Sequence, residues 1–169
     1  MTRPAEAWLR GPMPGIQPVL QPVAFALLQV AEDLPALLAN LTPDQVWTRP
    51  GRSAAIGFHL AHMTGSLDRL FTYARGEALN EEQLAVLMGE RALYDSRPPV
   101  ATLLAKLETG MQRAIEQLRR TRPDELEQPR EVGRKRLPST TIGLLVHAAE
   151  HTARHAGQIS TVLKVLPTT

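Results

Sequence analysis

All five histidines of this chain fall into two short runs, His59 and His62 in GFHLAH and His147, His151 and His155 in HAAEHTARHAGQ. Positions four apart on an α-helix share one face about 6 Å apart along the axis, so His151 and His155 can aim their imidazoles at one point. A third imidazole from another helix would complete a facial triad. Three neutral imidazoles with positions left open for water or substrate are the ligand set of a catalytic zinc-type site rather than of a closed structural one. The competing reading is five core rings. A dry interior would then need a separate hydrogen-bonding solution for each, whereas a shared cation satisfies several at once.

Composition narrows the chemistry further. The chain has no cysteine, which excludes disulfides, thiolate ligands and a cysteine nucleophile and favours an intracellular setting. No Ser/His/Asp constellation stands out, so a metal is the only candidate engine. Nineteen basic and 17 acidic residues, a net charge of +2, are too balanced for a nucleic-acid surface. The start, MTRPAEAW, lacks the basic and apolar regions of a signal peptide, and no apolar stretch is long enough for a membrane span. A soluble, cytoplasmic protein acting on a small molecule is expected.

The elements that must position the histidines are helical. With 169 residues, 43% hydrophobic and 4% aromatic, the chain suits one domain of helices packed on helices through Leu, Ala, Val and Ile. Pro4, Gly11, Pro12, Pro14 and Gly15 make residues 1–15 an irregular N-terminal arm. Residues 16–167 then form a single bundle. Val23, Leu27, Val30, Leu34, Leu37, Leu38 and Leu41 recur at helical spacing over about 19–41, with Pro35 as an expected kink. Thr42 and Pro43 open a single turn that carries Trp47 to the bundle end.

A second long helix is expected after Arg52, capped by Ser53 and stopped by Gly76. It carries Ile56, His59, Leu60, Met63, Leu67, Leu70 and Phe71 on one period. Gly57 and Gly65 cost about 1 kcal/mol each inside a helix, which predicts close approach of a backbone or a ligand. Asn80 caps a short crossover helix, and a third long helix runs over about 99–120 with Leu103, Leu107, Met111, Ile115 and Leu118 inward. Residues 122–136 read as a polar loop turning at Gly133. A fourth long helix opens at Ser139 or Thr140 and ends at Pro167. Four long helices, a crossover between the second and third, and no period-two pattern define an all-α four-helix bundle.

The strings IGFHLAHM and LPSTTIGLLVHAAEHTARHAGQI, separated by a long excursion, resemble the DinB/YfiT-like superfamily of metal-binding four-helix bundles over about 28–165. Carried onto this sequence, the resemblance implies metal ligands at His62, His151 and His155. His59 and His147 become supporting rings or alternative ligands, and Gln158 matches the motif's glutamine, which could orient a ligand or a bound water. Arg154 and Ala156 depart from residues common in relatives but leave the triad intact. Relatives include bacillithiol- and mycothiol-dependent S-transferases and isomerases, and metal-dependent hydrolases.

The resemblance therefore implies a divalent transition metal, Zn or Ni first, that lowers the pKa of a coordinated thiol or water. The favoured activity is S-transfer from a low-molecular-weight thiol, in stress or antibiotic detoxification. The alternatives are a hydrolase with the same triad, and a non-enzymatic metal-binding stress-response module. Arg154, with the loop from Arg134 to Arg136, is a candidate anchor for a carboxylate-bearing thiol. Glu150 is a supporting acceptor, a general base or a surface carboxylate. Relatives also pair through bundle faces, so a homodimer is expected.

Overall fold

The computed structural model describes residues 4–166, and its long helices lie where the apolar period places them. Helix α1 (Gln21–Leu38) follows a 3-10 turn at Pro18–Leu20, α3 spans Ile56–Ala74, α6 spans Val100–Arg120 and α7 spans Thr141–Val165. Short helices α2 (Pro43–Trp47), α4 (Glu81–Gly89) and α5 (Leu93–Ser96) connect them. Both α1 and α3 pack against both α6 and α7, so α1 and α3 face each other diagonally across one core. The mostly α bundle is thus as expected. The helix stop at Pro167 and the first three residues of the arm lie outside the described residues.

Leu27 and Leu34 of α1, Leu60 and Leu67 of α3, Leu107 and Leu118 of α6, and Leu145 and Ile159 of α7 are almost wholly buried. Each such side chain contributes about 1.5–3 kcal/mol relative to exposure, which is why these faces turn inward. Leu37, one of the residues on the expected apolar period of α1, is instead exposed, as is Val146 of α7. The arm is tied down rather than loose. Ala7 is buried with its N–H donating to Gln29 Oε1 at 2.8 Å, and Arg10 pairs with Glu32.

Helix starts follow local side-chain chemistry. Thr42 and Gln45 form a reciprocal capping box at α2, and Asn80 and Gln83 form another at α4, each satisfying two otherwise orphaned backbone donors. Thr140 caps α7 by accepting from Gly143 N–H at 3.1 Å. Ser53 does not cap α3. Its hydroxyl donates to the Pro50 carbonyl, the chain stays extended through Ala55, and α3 begins at Ile56.

The polar segment before α7 differs from the loop expected there. Strands β1 (Pro129–Val132) and β2 (Leu137–Thr140) form an antiparallel hairpin that pairs Pro129 with Thr140 and Val132 with Leu137. Its turn passes through Gly133 at φ +66° and Arg136 at φ +49°. A proline in each strand is tolerated because each strand of a two-stranded ribbon keeps one unpaired edge. The hairpin also finishes α3, since Arg130 Nε donates to the Ala74 carbonyl at 2.8 Å.

Gly57 and Gly65 of α3 approach side chains rather than a neighbouring backbone. A Cβ on Gly57 would sit 2.6 Å from the Trp47 indole, and one on Gly65 would sit 2.8 Å from Arg69 Nη1. No helix among the described residues is long and apolar enough to cross a membrane.

Candidate metal centre

Antiparallel packing of α3 on α7 sets Ala74 beside Thr141 at one end and His59 beside His155 farther along. Between these points His62 meets His151 and His155. One ligand-capable nitrogen from each lies within 4.8 Å of the others, and ring centroids are 4.5–5.3 Å apart. All three residues are partly exposed, which leaves one side of the cluster open.

The rings are arranged to keep lone pairs free. Glu90 Oε2 lies 2.8 Å from His62 Nδ1, and His59 Nδ1 lies 2.9 Å from His155 Nδ1, so the free nitrogen of His62 and of His155 is Nε2. His151 Nδ1 is buried without a hydrogen-bond partner, an unmet polar atom of the kind a cation satisfies. Burial, then repulsion from His151, His62 and His59, pushes the His155 pKa down to about 4. Burial also lowers His151 and His59, with His62 adding repulsion to both. Neutral imidazoles at neutral pH are the form that binds a metal.

The donor set and spacing fit a divalent ion. Bonds of about 2.0–2.1 Å in tetrahedral geometry place ligand nitrogens roughly 3.4 Å apart, so closure from 4.8 Å takes side-chain movements of the order of 1 Å. Imidazole suits several metals, and the ligands do not choose between Zn and Ni.

The other expected residues occupy distinct places. His59 is buried and supports His155, whereas His147 is half-exposed and lies 3.3 Å from Glu150. Arg154 does not reach the cluster as a free cation, because it grips Glu150 with bonds of 2.5–2.8 Å. That pairing holds the Glu150 carboxyl below its usual range. Arg136 of the hairpin is likewise paired with Glu131. Gln158 is exposed and its side chain makes no hydrogen bond among the described residues.

Sequence reasoning missed Glu90, Arg69, Phe58 and Tyr94. Glu90 sits in the 3-10 segment Glu90–Ala92 after α4, is 9% exposed, and divides its oxygens between His62 and Arg69 Nη2 at 3.1 Å. Burial works against its charge, but the hydrogen bond with His62 and the guanidinium of Arg69 outweigh it and hold the carboxyl below its usual range. Phe58 stacks on His62 at 5.7 Å and on Tyr94 at 5.6 Å, and Tyr94 meets Trp47 edge-on. The available signal for the aromatic layer was spacing alone, since Phe58 directly precedes His59 in the histidine run.

A family model described as the DinB superfamily matches residues 26–159. The chain belongs to that superfamily. No curated protein matches it significantly.

Proposed function

We propose that the chain is a metal-dependent enzyme whose cation is held by His62, His151 and His155, and that it transfers the sulfur of a small thiol to an electrophile. A divalent ion in such a site supplies Lewis acidity that favours the thiolate form of a coordinated thiol at neutral pH. The observation that carries the choice of reaction is the state of the two carboxylates touching the histidines. Glu90 is committed to His62 and Arg69, Glu150 to Arg154 and His147, and both are held ionised.

Ester or amide hydrolysis at the same ion would call on a neighbouring carboxylate to take a proton from water and pass it to the leaving group, and Glu90 and Glu150 both have their oxygens engaged by arginine and histidine partners. Sulfur transfer has no such requirement. The thiol gives its proton to solvent water, a sulfur–carbon bond forms, and a leaving group stable as an anion, such as chloride, departs with its electron pair. Both reactants would approach from the partly exposed face of the cluster, while His59 is buried beside His155.

The test is to incubate Zn- or Ni-loaded protein with an activated aryl chloride and a panel of thiols, including bacillithiol, mycothiol, glutathione and cysteine. Thioether formation should rise above background with at least one thiol and vanish in His62→Ala. Hydrolysis of an ester panel without thiol, and no thiol-dependent product, would overturn the transfer reading.

A further inference from the structure

Gly65 has no part in the cation chemistry described so far, yet it faces Arg69 and the excursion between α3 and α6 at Val86 and Glu90, behind His62. Glu90, carried by the excursion, places one carboxylate oxygen 2.8 Å from His62 Nδ1 and the other 3.1 Å from Arg69 Nη2. Only 11% of either the Arg69 or the Glu90 side chain is exposed. Arg69 Nη1 is buried against α3 with no hydrogen-bond partner. It lies 2.8 Å from where a Cβ on residue 65 would project. The guanidinium therefore occupies space that only glycine leaves at that turn.

We propose that Arg69 and Glu90 form an orienting pair for His62, which fixes its proton on Nδ1 and turns Nε2 toward the cation, and that Gly65 provides the room the pair needs. The inference rests on the reading of the triad as a cation site. A carboxylate behind a ligating imidazole sets both the ring's orientation and its tautomer. Here the carboxylate is itself clamped, because a lone buried Glu90 would swing toward water or take up a proton, and Arg69 counters both. The pair is nearly charge-neutral, so it steers the ring without adding net charge beside the ion. Glu90, Arg69 and Gly65 are thus positioning residues that touch neither substrate nor metal.

The geometry also explains why the excursion lies where it does. Helix α4 buries no residue of its own, so its apolar packing against the bundle is slight. The first residue after it, Glu90, is the one that enters the interior and takes two polar partners. Metal affinity and the docking of this excursion are therefore linked through a single carboxylate.

Removing Glu90 alone strands the buried Arg69 charge and risks unfolding, so the main variant replaces both, Arg69→Met with Glu90→Leu. Zinc affinity is read by competition with a chromophoric chelator, and the His62 tautomer by ¹⁵N shifts of the metal-free protein at mildly alkaline pH. The double variant should stay helical, bind zinc about 10–100-fold more weakly, and lose the Nδ1–H tautomer of His62. Arg69→Met with Glu90→Gln keeps an acceptor and should recover part of both. Gly65→Ala, which displaces only the flexible end of Arg69, should weaken zinc several-fold in a folded protein. A wild type that takes up no cation would overturn the cation site itself. A wild type that binds zinc while the Met/Leu variant matches it in affinity and tautomer would overturn only the orienting role.

Discussion

His59 Nδ1 lies 2.9 Å from His155 Nδ1 across the α3–α7 interface, and a single proton serves that contact. For His155 to offer Nε2 to a cation, its Nδ1 must carry the proton and donate to His59. His59 then accepts at Nδ1 and keeps its own proton on Nε2. On the reading of the triad as a cation site this contact makes His59 the supporting ring of His155, while His147, half-exposed beside Glu150, has its ring 5.7 Å from that of His151.

Metal affinity should separate the two. His59→Ala is expected to weaken zinc about 10–100-fold without abolishing it, because it removes the group that fixes the His155 tautomer. His147→Ala should stay within about twofold of wild type, since an exposed ion pair contributes little. Chelator competition on both variants is the measurement. Equal losses, or a loss confined to His147→Ala, would reverse the assignment.

The metal-free protein should lose stability on mild acidification. The His155 pKa lies at about 4 in the fold against 6.5 for an unperturbed imidazole, and His59 and His151 are displaced the same way. Between those values the unfolded chain binds more protons, so stability rises with pH. The contribution is fully present above about 6.5 and is lost as pH falls toward 4. Urea midpoints of the metal-free wild type should fall over that window, and those of His155→Leu should fall less. Parallel curves for the two proteins would contradict the buried neutral ring.

Two glycines should respond oppositely to the same change. A Cβ at Gly57 meets the Trp47 ring at 2.6 Å, and the indole is held by burial and by its N–H donating to the Pro98 carbonyl at 3.2 Å. Overpacking of about 1–3 kcal/mol there exceeds the roughly 1 kcal/mol that alanine gains in helix propensity. A Cβ at Gly157 of α7 meets nothing within 4 Å. Gly57→Ala should therefore lower the thermal midpoint by a few degrees and Gly157→Ala raise it. A Gly57→Ala protein as stable as wild type would show that Trp47 does not hold its place.

Much of this arrangement is readable from residue order, for reasons that are local. Val23, Leu27, Val30, Leu34 and Leu38 repeat at helical spacing because one stripe of α1 faces the core. Thr42 with Gln45, and Asn80 with Gln83, announce helix starts because both partners of each cap lie three residues apart. The hairpin before α7 was hidden by Pro129 and Pro138, which argue against strands unless the sheet has only edges. Glu90 was hidden more deeply. Its imidazole partner lies 28 residues earlier, and nothing in MGERALY separates a carboxylate turned inward from a solvated one. His151 and His155 announce each other through their spacing, whereas the ring that joins them is set by the packing of α3 on α7.

The most direct test of the centre is metal content by mass spectrometry on protein purified without chelator or histidine tag, wild type beside His62→Ala and His155→Ala. About one divalent ion per wild-type chain is expected, lost in both variants while circular dichroism stays helical, because the bundle core does not depend on the ion. A wild type that neither carries nor takes up Zn or Ni, or variants that keep one ion with unchanged affinity, would contradict the His62, His151 and His155 centre.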